Sequence, residues 1–231
     1  MQKDFSRFEA GIGYTFTDRD ILTQAFVHRS YINEHPSFPM GHNERLEFLG
    51  DAVLELVVTE HLYRGYPNPE GELTNWRAAL VNARMLAEIA RGVGMEDYLF
   101  LSHGEMKDGS GSKARMYILA NAIEALIGAM YLDGGTPAAK GFIDRFVLSH
   151  LARVLEHKLY LDPKSRFQEA AQEATGHTPT YRVLSEVGPD HAKQFTIGAF
   201  LGEEKVSEGV GMSKQEAQVD AAEKAIQAKG W

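Results

Sequence analysis

No cysteine occurs in these 231 residues. That excludes a disulfide framework, a thiolate metal site and a cysteine nucleophile, and it fits a reducing cytoplasm. The opening stretch MQKDFSRFEAG has no apolar run of the signal-peptide kind. Long hydrophobic runs are scarce elsewhere too. The longest, residues 116–132, is short for a bilayer span and carries Glu124 at its centre, so a buried helix is expected, with no membrane partner. Positive charge is in deficit: 24 Lys and Arg stand against 32 Asp and Glu, for a net charge of −8. This is the reverse of the basic footprint that marks most nucleic-acid binders. The deficit is not confined to one half, since residues 162–231 carry eight basic and eleven acidic side chains and the rest carry sixteen and twenty-one. A polyanionic partner must therefore be met by local patches or metal ions rather than by the overall field. None of the nine histidines stands in an HExxH pattern, and neither GxSxG nor GxxxxGK[ST] occurs.

What is present is a 44 % hydrophobic chain, enough to bury a core in one large or two ordinary domains. Residues 1–158 read as helix after helix. Asp18 can cap one helix, and prolines 36 and 39 mark a loop into the next, residues 43–66, which Pro67–Gly71 (PNPEG) ends. One further helix is expected over 72–92. A polar Gly/Ser/Lys segment over 102–113 is expected to be an exposed loop. Beyond it lies a helix over 113–132, apolar almost all round and stopped by Asp133-Gly134-Gly135-Thr136, which also caps a last helix running to Lys158. No strand pattern precedes residue 160. Residues 159–164 read as a linker. Residues 165–231 then read as a helix (165–175), three strands (180–187, 194–201, 203–211) and an alanine-rich helix (213–229). The expected architecture is an all-α domain followed by a small α+β domain of order α-β-β-β-α.

Chemistry concentrates in NERLEFLGDAVL, residues 43–54. Read as a helix, it sets Glu44, Glu47 and Asp51 at i, i+3 and i+7, within roughly 60° of one another on a face otherwise flanked by apolar residues. The apolar helix downstream carries Asn121 and Glu124 at i and i+3, again on one face. Oxygen ligands from two core helices suit a hard cation, Mg²⁺ or Mn²⁺, rather than zinc. The alternative is that these acids pair with Arg45, Arg77 or Arg115, or cap helix ends. In the C-terminal region, GVGMSK (209–214) places Ser213 as an N-cap with Lys214 beside it. A cation there opposes the helix dipole and suits a phosphate ligand, although an ordinary capped helix would look the same.

Taken together these blocks carry a resemblance. NERLEFLGDAVL, with FVHRSY (26–31), EGELT (70–74), RAALVN (77–82) and ILANAIEALIGAMYLDGG (118–135) in order, resembles the ribonuclease III family. Residues 162–231, with Gln168 and Glu169 on the first helix, GPDHAKQF (188–195) and GVGMSKQEAQVDAA (209–222), resemble a double-stranded-RNA-binding domain. The resemblance implies a Mg²⁺-dependent homodimeric endoribonuclease that cuts double-stranded RNA, leaving 5′-phosphate and 3′-hydroxyl ends, in rRNA and mRNA processing. It implies Glu44, Asp51 and Glu124 as catalytic carboxylates, Glu47, Asp51, Glu124 and Asn121 as metal ligands, and Phe48 as the aromatic that plugs into the partner subunit. It implies RNA contacts from Gln168, Glu169, His191, Ser213 and Lys214, with Lys193, Lys205 and Lys224 as further candidates. Two departures stand out. The family commonly has aspartate where this chain has Asn121, and the binding domain often has two lysines where this chain has Lys214-Gln215. The first departure motivates an alternative, a catalytically weakened homologue that binds double-stranded RNA without cutting it.

Overall fold

A computed structural model describes residues 3–107, 111–189 and 193–231. The chain divides into two compact units, Met1–His157 and Lys158–Trp231.

The first unit is helical among its described residues, apart from a single parallel bridge between Val27 and Phe100. Its elements are α1 (Ser6–Ile12), α2 (Arg19–Ala25), α3 (Arg29–Glu34), α4 (Glu44–Gly65), α5 (Glu70–Val81), α6 (Ala83–Gly92), α7 (His103–Lys107), α8 (Lys113–Phe146) and α9 (Leu151–Glu156). Asp18 caps α2 as its position predicts, accepting from the backbone N–H groups of Asp20 and Ile21. At the centre lies α8. Ile118 to Met130 are buried apart from Asn121 and Glu124, and α8 packs most extensively on α4 and then on α6. By length and composition the stretch Lys113–Glu156 would pass for a membrane span, but 61 % of its most apolar window is buried inside the molecule, as a core helix requires.

Three local expectations are corrected. The helix expected over 72–92 is two helices, because Asn82 leaves helical conformation at ψ 158°. The Asn82 side chain accepts from Met85 N at 3.0 Å while donating to the Ala78 and Ala79 carbonyls, so one residue ends α5 and starts α6. The break expected at residues 133–136 is present: Gly135 leaves helical conformation (φ 69°, ψ −170°) between two helical stretches of α8, with Pro137 just beyond it in the first turn, where it needs no N–H partner. Asp133 accepts from Tyr14 Oη at 2.6 Å and from Thr17 N and Asp18 N, tying α8 to the α1–α2 turn. The helix expected to reach Lys158 ends at Phe146, and a short 3-10 turn and α9 follow. The polar 102–113 segment contains α7, with Ser102 buried and the Glu105 carbonyl held by Arg115 at 2.8 Å. Helix α4 is also less enclosed than its apolar content suggests: Phe48, Leu56 and Tyr63 stand 82 %, 67 % and 79 % exposed along it.

The second unit comprises α10 (Pro163–Thr175), an antiparallel sheet in the order β1 (Thr180–Val187), β2 (Gln194–Leu201), β3 (Glu204–Gly211), and α11 (Lys214–Lys229). One sheet face packs on both helices through Phe167, Ala171, Ala199, Leu201, Ala221, Ala222, Ala225 and Ile226. Small residues on α11 bring it against β3. A Cβ at Gly209 would overlap the backbone of Ala217 and Ala221, and one at Gly211 would lie 2.5 Å from Ala217 N. The GVG of the 209–214 motif is thus required for close packing, and it fixes where α11 begins.

Candidate active site

The two acid-bearing helices cross in backbone contact. A Cβ at Gly50 would overlap the Glu124 carbonyl and lie 2.8 Å from Gly128 N; one at Gly128 would overlap the Leu46 carbonyl and lie 3.1 Å from Gly50 N. Any larger residue at either position would force α4 and α8 apart. Gly50 sits between Glu47 and Asp51, and Glu124 lies one turn before Gly128. The crossing therefore delivers carboxylates of both helices to one place. Sequence reading by residue chemistry missed these glycines, although two glycines inside otherwise strong helices, Gly50 between Glu47 and Asp51 and Gly128 one turn after Glu124, are the signal available.

The electrostatics show how close the acids are. Glu124 is pushed up to about 8, first by burial and then by the charges of Asp51 and Glu47. Glu47 is also raised, by burial and by the charge of Glu44, against a hydrogen bond from the Asn121 amide that lowers it; Asp51 adds to the rise. Glu44, Glu47, Asp51, Asn121 and Glu124 thus form one interacting set. Among the described residues, no ion pair involves Glu47, Asp51 or Glu124. The arginines that offered an alternative are engaged elsewhere. Arg115 is buried against Glu96 and the Glu105 carbonyl, and Arg77 donates to Thr59. Glu44 differs: it stands at the rim, 3.5 Å from Arg29 and 3.7 Å from His42 Nδ1.

Among the described residues, no three Asp, Glu or His side chains are already gathered as a metal cage. The donor set itself fits a hard divalent ion: oxygen only, with Glu124 pushed up by burial and neighbouring charge, and no ion pair to a protein cation among the described residues. Phe48 lies between Glu47 and Leu49 on α4 and is the most exposed large apolar side chain among the described residues.

In the second unit, Ser213 caps α11 by accepting from Glu216 N at 3.1 Å. Lys214 lies 3.0 Å from Glu186 and 5.5 Å over the Phe195 ring. Gln168 is exposed on α10, and Glu169 pairs with Lys158 at 3.0 Å. Lys205 and Lys224 pair on their own elements with Glu208 and Asp220. His191 falls outside the described residues.

Comparison with known proteins matches both units. The family model described as ribonuclease-III-like covers residues 18–151, and the double-stranded RNA binding motif covers 163–229. Ribonuclease 3 of Carboxydothermus hydrogenoformans is 42 % identical over 217 residues, 94 % of this chain and 92 % of that protein. Ribonuclease 3 of Chloroflexus aurantiacus is 41 % identical over 99 % of this chain and 93 % of its own length. Among solved structures, a nuclease domain of ribonuclease III from Campylobacter jejuni, described as flexible in a region involved in dimer formation, aligns with a TM-score of 0.57 and 37 % identity, covering 63 % of this chain and 97 % of that domain. The chain belongs to the ribonuclease III family, with its nuclease domain followed by a double-stranded-RNA-binding motif.

Proposed function

We propose that this chain cuts double-stranded RNA at the α4–α8 crossing, using a divalent cation held by Glu47, Asp51 and Glu124. The chain is a double-stranded-RNA-specific endoribonuclease, and the comparisons lend no support to a homologue that binds without cutting. The observation that carries the site assignment is a set of acids from two helices, forced together by Gly50 and Gly128 and left without a protein cation. Asn121 spends its amide nitrogen on Glu47 and has its carbonyl oxygen to offer as a ligand. Glu44 supports the site from the rim.

Bound Mg²⁺, or Mn²⁺ in its place, supplies Lewis acidity at the scissile phosphate and acidifies the attacking water. The protein's own contribution is placement. Glu124, pushed up to about 8 by burial and by the charges of Asp51 and Glu47, would bind the cation as the carboxylate, so cation binding and loss of that proton would be linked. The helix crossing places it within the electrostatic reach of Asp51 and Glu47. Hydrolysis in this geometry is expected to leave 5′-phosphate and 3′-hydroxyl ends, as required in rRNA and mRNA processing, in the cytoplasm. Replacing Glu124 by Gln is expected to cut the rate on a long RNA duplex by at least about 10²-fold, while duplex binding persists. Cleavage at the parent rate would remove Glu124 from the site.

The exposed apolar stripe of Phe48, Leu56 and Tyr63 supports a homodimer across α4. One helix would then serve both chemistry and assembly. Phe48→Ala is expected to weaken the dimer by about 2 kcal/mol or more in sedimentation experiments, as loss of a buried aromatic anchor does. An unchanged dimer would place the seam elsewhere. In the second unit, Gln168 and Glu169 on α10, His191, and Ser213 with Lys214 on α11 are the proposed RNA contacts, reading the duplex by shape, 2′-hydroxyls and phosphates.

A further inference from the structure

Only one lysine stands at the start of α11, and Gln215 follows it. The structure supplies a second ammonium to that helix from another element. Lys164, in the first turn of α10, reaches across to α11, and its Nζ lies 2.7 Å from Gln218 Oε1. Gln218 is four residues on from Lys214, so both side chains share one face of α11, about 6 Å apart along the axis. Lys164 is fixed as well as placed. It is half-buried, and its Nζ sits 5.3 Å over the Tyr181 ring. Asp162 faces the same turn; its carboxylate caps α10, accepting from Lys164 N, Ser165 N and Ser165 Oγ, and it interacts with the Lys164 charge without forming an ion pair among the described residues. On α10, Lys164 also lies four residues before the exposed Gln168, on one face with it.

We infer that Lys164 is a phosphate contact of the RNA-binding unit, its ammonium carried by Gln218 onto the Lys214 face of α11, so that two cations from two helices clamp one strand of the duplex. A lysine held this way loses little side-chain freedom on binding, which favours a persistent contact over a transient one. The neutral Gln218 accepts from the ammonium without cancelling its charge, in contrast to the carboxylate on Lys214. The inference rests on residues 163–229 binding double-stranded RNA.

The test is duplex binding by the full-length protein in metal-free buffer, with affinity followed across salt concentration. Lys164→Ala is expected to flatten the slope of log affinity against log salt by about one and to weaken binding about tenfold at 0.1 M salt. Lys164→Arg is expected to keep the parent slope. In the Lys164→Ala background, Gln218→Lys is expected to restore it by placing the charge directly on α11. A Lys164→Ala protein with the parent slope overturns the inference, whether or not affinity falls, because a merely structural lysine would lower affinity without changing the ion count. Failure of the Gln218→Lys rescue overturns the shared-face clamp. Failure of the parent protein itself to bind the duplex would instead count against the RNA-binding reading on which this rests.

Discussion

The two units treat charge in opposite ways. At the α4–α8 crossing, Glu47, Asp51 and Glu124 act on one another's charge and, among the described residues, have no ion pair with a protein cation. In the RNA-binding unit the cations are instead answered locally: Lys158 by Glu169, Arg182 by Glu203, Lys205 by Glu208, Lys214 by Glu186, Lys224 by Asp220 and Lys229 by Glu204. Carboxylates left to repel one another hold free energy that a proton or an added cation relieves, which is why the proposed site would take a metal. Exposed pairs on the RNA-binding unit are each worth little and are screened by salt, so a phosphate can displace a carboxylate from its lysine. This explains how a chain of net charge −8 works on a polyanion. Under the proposed function its acidic site would be neutralised by bound cations, and its basic contacts would be released from weak internal pairs.

The comparison breaks most severely if the crossing is forced apart. Gly128→Ala puts a methyl into the Leu46 carbonyl, and it is expected to lower unfolding free energy by about 3 kcal/mol in urea titrations and to reduce cleavage with it. Near-parent stability would mean that the helices separate freely and that the crossing does not hold the acids together. A smaller effect should appear in the pH dependence of metal-free protein. Glu124 binds its proton more tightly folded than unfolded, so the stability tied to that proton is full below about 4.5 and is lost as pH rises through about 8. Thermal midpoints are therefore expected to fall across that window, and to fall less for Glu124→Gln. An equal fall in the variant would assign the effect to other groups. The smallest effect concerns the opposite unit. Glu186→Gln frees Lys214 from its exposed partner and is expected to tighten duplex binding about two- to fivefold at low salt. Weaker binding would show that Glu186 positions Lys214 rather than competing for it.

Much of this was legible in residue order because each signal was local. Asp18, Ser213 and the alternation in 180–187 and 194–201 act through neighbours a few positions away, and the elements they predict are present. What was not legible depends on contacts across the chain. Gly50 and Gly128 look like weak points in two helices until they are seen against each other. Asn82 reads as one polar residue in an apolar helix, yet it bonds forward and back and splits it. Asp133 reads as part of a local helix stop, and its bond to Tyr14, 119 positions earlier, shows only in the fold. In the site, the i, i+3, i+7 spacing grouped Glu44 equally with Glu47 and Asp51, whereas Arg29 and His42 draw it to the rim.

The claim that everything else hangs on is that the unpaired acids exist to take a divalent cation. It is tested most directly by titrating Mg²⁺ or Mn²⁺ into the metal-free protein by calorimetry near pH 7, in buffers of different ionisation heat. The account predicts saturable binding with release of up to one proton per site, and loss of both the affinity and the proton when Glu124 is replaced by Gln. Equal affinity and equal proton release in the variant would contradict it.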